Sequence, residues 1–385
     1  MKFFCLIWAG LWRKPMRTVL TLLSIVVAFM LYGTLHGVTS SFDDVIDTMG
    51  DTRLRVQSRV NIIESMPLAY LPRIESVPGV EGVGYYQALV AYYQDPRNQI
   101  QVGAVGLDGF LDVYPEIVVP DEQREAMSRT RTGAIVGKDL AAARGWNVGD
   151  RVTLRSQIFT HADGSDVWDF DVVGIYELSG AFADFAAQEM YVHFDYFDEA
   201  RVQAPGMVLL YFVAIDDVDQ SAEIAEAIDA LFLNSSFETQ TLNEKDWVRN
   251  QIARIGDIDF FVNAIIGAVF FTLLFLTGNT MWQSVRERVP ELAVLKTYGF
   301  GNATIVGLVA AESLLLCLTA AGIGLVIAAT VFPAIYRSMG IGSIPLPSSV
   351  IALGIGIGVL VAVVSALPPA WLAQRLNVVD ALAGR

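Results

Sequence analysis

A chain of 385 residues that is 54% hydrophobic and only 17% charged falls short of the roughly 25% charged residues of an average soluble protein. Its mean hydropathy of +0.46 excludes an ordinary water-soluble enzyme or carrier as the starting assumption and shifts the reading to a membrane protein. A formal net charge of −15 argues against a nucleic-acid surface.

Residues 1–17 (MKFFCLIWAGLWRKPMR) place Phe3, Phe4, Ile7, Trp8 and Leu11 at helical spacing, with basic residues clustered after them. This predicts an amphipathic helix in the cytoplasmic interface, with Trp8 and Trp12 at headgroup level. A first transmembrane helix follows at 18–39; its apolar core is too long for a signal peptide, and VTSSFDD offers no small-x-small cleavage site. Residues 40–257 form a large external domain. Within it TRLRVQS reads as a strand, 67–76 as a short helix, and GYYQALVAYY and QIQVGAVGLD as a β-rich run. GAIVGKDLAAARGWNVGDRVTLRS reads as strand, helix, Gly-Asp turn and strand, and WDFDVVGIYEL as an alternating strand. GMVLLYFVAID is a buried type of strand, followed by a helix with an apolar stripe at Ile224, Ile228 and Leu231. A strand-helix-strand half at each end, with a β-rich piece between, accounts for this order.

Three further spans are expected at 258–283, 303–335 and 349–372, each meeting the requirement of about 20 apolar residues. Pro333 is expected to end the third. Between them lie a loop at 284–302, a short external loop at 336–348 and a tail at 373–385. The fold class is therefore an α-helical membrane protein with four transmembrane helices and a large α+β extracytoplasmic domain between the first and second.

Orientation follows from Lys and Arg near the span ends. The N-terminus, the 284–302 loop and the C-terminus together carry nine basic and three acidic residues, a net of +6, whereas Ser41 to Asp257 carries 16 basic and 36 acidic, a net of −20. Both termini and the loop are expected in the cytoplasm, with the large acidic domain outside. Neither cysteine, Cys5 nor Cys317, falls in the external domain, which must then fold without disulfides.

Candidate chemistry is sparse. GAIVGKD has one residue too few between its glycines for a phosphate loop, and Asp139 stands where Ser or Thr would bind magnesium. His36, His161 and His193 are not spaced as ligands. Asp166, Asp169 and Asp171 read better as a solvated strand edge than as a cation site. No enzyme, cofactor or metal is expected. In the spans, Gly33 with Gly37 and Gly354 with Gly358 are small-xxx-small pairs that allow close helix packing. Glu312 lies roughly one third of the way into the membrane, where an ionisable group has either a functional role or a hydrogen bond to a neighbouring helix.

The loop SVRERVPELAVLKTYGFGN is a charged island between apolar stretches. Pro290 suits a first helical turn, Glu291 the positive helix end, Lys296 the negative end, and Gly299 can close the helix with φ > 0. A helix over about 290–298 is predicted, with Leu292, Leu295 and Tyr298 on one apolar face that should meet the membrane lipid or a partner.

VRERVPELAVLKTYGFGNATIVGLVAAESLLL resembles the signature of the FtsX/MacB-like ABC permease family, with its charged stretch, short cytoplasmic helix ending in Gly, and span with an early Glu. PPAWLAQRLNVVDALAGR is similar to that family's closing segment, and GAIVGKDLAAARGWNVGDRVTL with FDVVGIYELSG resembles the MacB-type periplasmic core. Pro290, Ala293 and Val378 depart from the family's usual residues. The resemblance implies a non-catalytic permease subunit that pairs with a second permease, itself or a related chain, and docks onto a separate ABC ATPase subunit. It further implies that Arg286, Glu287, Arg288, Pro290, Glu291, Leu292, Leu295, Lys296, Tyr298 and Gly299 form the ATPase-coupling segment. ATP-driven motion would then be transmitted to the external domain for export or mechanotransmission, with a periplasmic adaptor compatible with this arrangement. Two rivals remain: an FtsX-like scaffold that activates an extracytoplasmic cell-wall hydrolase, and a membrane-anchored sensor. Lipoproteins, lipids, peptides, macrolide-like drugs and haem are all open as efflux or transport substrates.

Overall fold

The computed structural model describes residues 12–48, 50, 52–180, 187–338 and 344–374. Most of the expected interfacial helix at 1–17 and almost all of the tail at 373–385 lie outside the described residues. The helices are α1 (Pro15–Thr48), α2 (Leu71–Glu75), α3 (Leu107–Val113), α4 (Asp121–Arg129), α5 (Lys138–Arg144), α6 (Phe194–Ala200), α7 (Ser221–Leu231), α8 (Glu244–Ile255), α9 (Ile258–Glu287), α10 (Val289–Thr297), α11 (Asn302–Ser338) and α12 (Ser348–Gln374). The strands are β1 (Arg53–Ser58), β2 (Met66–Pro67), β3 (Val80–Tyr92), β4 (Gln99–Val105), β5 (Ile117–Val118), β6 (Gly133–Gly137), β7 (Arg151–Ser156), β8 (Val167–Leu178), β9 (Glu189–His193), β10 (Met207–Val208), β11 (Leu210–Ile215) and β12 (Thr239–Asn243). The chain divides into two units, one built from the long helices and the other from Val45–Arg254.

Among the described residues, four helices are long and apolar enough to cross a membrane: Pro15–Ser41 within α1, Ile258–Glu287, Asn302–Ser338 and Ser348–Leu372. With 37 residues, α11 measures about 55 Å at a helical rise, longer than a hydrocarbon core, so it tilts or projects. Pro333 does not end this helix, contrary to the sequence expectation; α11 runs through it to Ser338. Phe332 and Tyr336 on either side of it are buried. Helix packing thus holds a turn that lacks one backbone donor, a tolerance common in membrane helices. Likewise α12 passes through Pro368 and Pro369 to Gln374.

Small residues set how closely these helices approach. A Cβ added at Gly33 would lie 2.7 Å from the Ala328 methyl, and one at Gly37 would lie 2.6 Å from Leu346. At Gly354 it would meet Tyr32 at 2.9 Å, and at Gly358 it would meet Ala321 at 3.2 Å. Gly324, which the sequence reading did not single out, makes the closest backbone approach: its Cβ would fall 2.6 Å from the Val26 carbonyl oxygen. Hydrogen bonds supplement this packing, with Ser313 Oγ of α11 donating to the Ala362 carbonyl of α12 at 2.9 Å. Helix α9 is the least covered, with 17% of its apolar window buried against 39% for each of the others. Phe260, Phe271 and Phe275 therefore project outward, as residues facing lipid or another subunit do.

The second unit is built on a mixed sheet whose order, among the described residues, is β12-β1-β11-β3-β4-β9-β6-β8-β5, with β7 pairing both β3 and β8. The terminal halves β1-α2-β3 and β11-α7-β12 interleave as β12-β1-β11-β3, all antiparallel, the pairing of a split βαβ motif. The inserted β-rich piece is not a separate layer; it extends the same sheet through β4 and β9, which pair in parallel. Alternation assigns the two faces. From β11, Tyr211, Val213 and Ile215 enter one core with Trp168, Phe170 and Phe197. Leu210 and Phe212 enter the other with Phe110, Leu111 and Tyr191. Ile224 and Ile228 of the α7 stripe are buried and Leu231 packs at the edge. The Gly-Asp turn before β7 depends on Gly149, whose φ of +100° only glycine adopts without strain.

Candidate functional site

Helix α10 is defined at both ends by its own sequence. Arg288 terminates α9, its N–H donating to the Val285 carbonyl at 3.0 Å, and starts α10, its carbonyl accepting from Leu292 at 2.9 Å. Pro290 occupies the first turn and Glu291 stands beside it, placements that suit unsatisfied donors and a positive helix end. At the other end Gly299 has φ +90°. The Phe300 N–H reaches the Leu295 carbonyl at 3.2 Å and the Gly299 N–H reaches Lys296 at 3.0 Å, the paired bonds of a Schellman cap.

Burial divides the helix differently from the sequence expectation. Leu292 and Ala293 are buried, and Leu292 packs with Val285, Ile305 and Val309, while Leu295 lies half-buried at the edge of this cluster with Leu372. The chain itself therefore covers the face that the pattern Leu292, Leu295, Tyr298 assigns to lipid or a partner. Tyr298 separates from that stripe because it is the capping residue, beyond the last helical turn. It is 80% exposed. With it on the outside are Pro290, Val294 and Thr297, a narrow surface flanked by the exposed Arg286 and Glu291.

The charged residues of the island are mostly engaged within the unit. Glu287 accepts from Lys14 Nζ at 2.6 Å and from Arg17 at 3.3 Å. Glu291 pairs with Arg13, and with Arg288 at 3.6 Å. Lys296 Nζ donates to the carbonyl of Gln374, the last residue of α12, at 3.3 Å. Arg288, placed by the resemblance among the coupling residues, does not face outward: it is buried and its Nη1 donates to Glu312 Oε2 at 2.8 Å. Of the two roles open for Glu312 in the sequence, the geometry supplies the interhelical bond, with Arg288 as its partner. Beside the pair, Arg17, Thr21, Thr280, Ser284 and Glu312 line a cavity of about 20 Å³, room for about one water molecule.

In the domain, the residues tested for chemistry have structural partners. Lys138 of GAIVGKD pairs with Glu177 at 3.1 Å, and Asp139 accepts from the Ala187 N–H at 2.8 Å. Asp166 pairs with Arg155, Asp169 accepts from Thr153 and Asp171 accepts from Thr132. A second charged cluster was not visible in the sequence. Arg53 and Arg55 on β1 both bind Glu244 at the start of α8, at 2.8 and 2.6 Å, and Arg53 also binds Glu116 at 2.7 Å. Tyr114 donates to Glu244 at 3.1 Å, and Arg55 stacks 4.2 Å from the Trp247 ring centre. Burial alone would disfavour the ionised Glu244, but the Arg55 and Arg53 guanidiniums outweigh it and hold the carboxyl below its usual range.

Four membrane-crossing helices, a large α/β domain between the first two, and a capped helix joining the second and third describe a multi-pass membrane subunit of the permease type. Residues 18–231 match the MacB-like periplasmic core domain and residues 263–378 match the FtsX-like permease C-terminal model. The chain belongs to the FtsX/MacB-like ABC permease family, whose members are generally non-catalytic subunits working with ABC ATPase partners. The family and the four apolar helices point to a multi-pass protein of the inner membrane. Among solved structures, the extracellular domain of the noncanonic ABC-type transporter YknZ from Gram-positive bacteria is 16% identical, covering 50% of this chain and 100% of that one with a TM-score of 0.36. The periplasmic region of MacB from Actinobacillus actinomycetemcomitans is 10% identical over 54% of this chain and 95% of that one, with a TM-score of 0.38. A permease-protein domain from Porphyromonas gingivalis is 14% identical over 50% and 90%, with a TM-score of 0.34. No curated protein matches the sequence.

Proposed function

We propose that the chain is the membrane subunit of an ABC-type export or mechanotransmission complex, in which α10 is the helix received by a separate ATPase. In this reading α10 and both termini face the cytoplasm, and the β-sheet domain lies outside, as the charge asymmetry of the flanking segments favours. A second permease, identical or related, completes the membrane pair.

The observation that carries the reading is the combination of fixation and exposure in α10. Its two ends are capped and its inner face is packed on its own unit, yet Val294 and Tyr298 project outward at 42% and 80% exposure. A connector between two spans has no need of such definition, whereas a helix that receives force must be both rigid and accessible.

The test is co-purification with ABC ATPase subunits from the cell that produces the chain. Val294→Asp and Tyr298→Asp place a charge on the exposed face without touching the inner cluster, and each is expected to abolish co-purification while the permease still folds. Undiminished ATPase binding in both variants would remove α10 as the docking helix.

A further inference from the structure

Arg288 stands where three helices meet. Its backbone ends α9 and begins α10, and its side chain reaches Glu312 on α11. Both side chains are removed from solvent, at 10% and 6% exposure. Bringing two charges out of water is costly, and their attraction does little more than return that cost. A pair in this position is thus a poor source of stability, but a good source of register, because sliding would break a short bond between two charges that are both removed from solvent.

We propose that Arg288 and Glu312 are positioning residues that lock α10 to α11, so that displacement of α10 is passed directly to the third span. The claim rests on α10 being the ATPase-docking helix and adds the route by which motion leaves it. Without the pair, α10 touches α11 through the small apolar cluster of Leu292, Ile305 and Val309. Apolar contacts are non-directional and permit slippage where an ion pair fixes one arrangement. The opposite end of α10 meets α12, where Lys296 donates to the Gln374 carbonyl at the surface and Leu295 shares the edge of the apolar cluster with Leu372. The buried ion pair is the charged link that fixes α10 on α11. Val294 and Tyr298, the exposed residues changed in the docking test, take no part in the pair, so docking and transmission are separable by mutation.

The experiment uses the full chain with its ATPase in lipid nanodiscs, and a fluorophore on a cysteine at Val326, an exposed position of α11. Co-purification reads docking, and the ATP-induced change in fluorescence reads transmission. Glu312→Gln should keep the ATPase bound and reduce the ATP-induced change at least tenfold. The charge-reversed pair Arg288→Glu with Glu312→Arg should recover most of it. The apolar pair Arg288→Met with Glu312→Leu guards against misfolding, since apolar replacement of a buried ion pair is often tolerated. It too should bind ATPase without transmitting, an outcome that a purely structural role would not produce. A wild-type response in Glu312→Gln or in the apolar pair overturns the proposal. So does loss of ATPase binding in the folded apolar pair, which would place Arg288 and Glu312 in docking. Failure of the wild-type chain to bind any ATPase would instead count against the docking helix itself.

Discussion

Glu244 joins two segments that are 191 residues apart in the chain, since its carboxylate binds both Arg53 and Arg55. Removing one partner of a buried pair strands the others, so Glu244→Ala should destabilise the domain by roughly 3–5 kcal/mol. The acid response follows from the same geometry. Because the folded carboxyl titrates below its usual range, its ionised form contributes stability in full above an unfolded-state value of about 4.3. That contribution is lost as pH falls through the lower folded-state value. Thermal melts of the full chain should therefore show a steeper loss of stability below about pH 4 in the wild type than in Glu244→Gln. Equal acid slopes would contradict the assignment. Nothing in the sequence pairs Arg53 with Glu244, since local spacing carries no information about partners so far apart. Glu312 was conspicuous as a charge in a span, but Arg288 read as part of an exposed island and only the fold turns it inward.

Elements were more legible than partnerships. The alternation in WDFDVVGIYEL marks β8, whose even positions Trp168, Phe170 and Val172 are fully buried, and the 3.6-residue stripe marks α7. The start and stop of α10 were readable because Pro290, Glu291, Lys296 and Gly299 each fit one terminal position. Its exposed face was not, because a capping residue leaves the helical stripe and Tyr298 is the cap. Pro333 misled for a related reason: its local preference for ending a helix yields to packing by Phe332 and Tyr336. Helix packing makes its own prediction at Gly324, where the neighbour is backbone and cannot turn aside. Gly324→Val should cost at least roughly 1–3 kcal/mol in thermal unfolding of the purified protein. Gly358→Ala meets side chains alone, none closer than the Ala321 methyl at 3.2 Å, and should cost markedly less. Equal effects would show that α1 and α11 do not pack as described.

At the level of the whole molecule, the four apolar helices and the large domain after the first were readable from hydropathy, and family membership from a combination of motifs in order. What links the parts in function was less so, because docking faces and internal ion pairs arise only when distant segments fold together. On the proposed function, force enters at the outer face of α10 and passes to α11. The most direct measurement is photo-crosslinking in living cells from an unnatural amino acid at Tyr298, with the captured partner identified by mass spectrometry. The account predicts an ABC ATPase as the crosslinked protein, lost when the same probe is placed at the buried Leu292. Crosslinks from Tyr298 to lipid alone, or to a protein confined to the opposite side of the membrane, would contradict it.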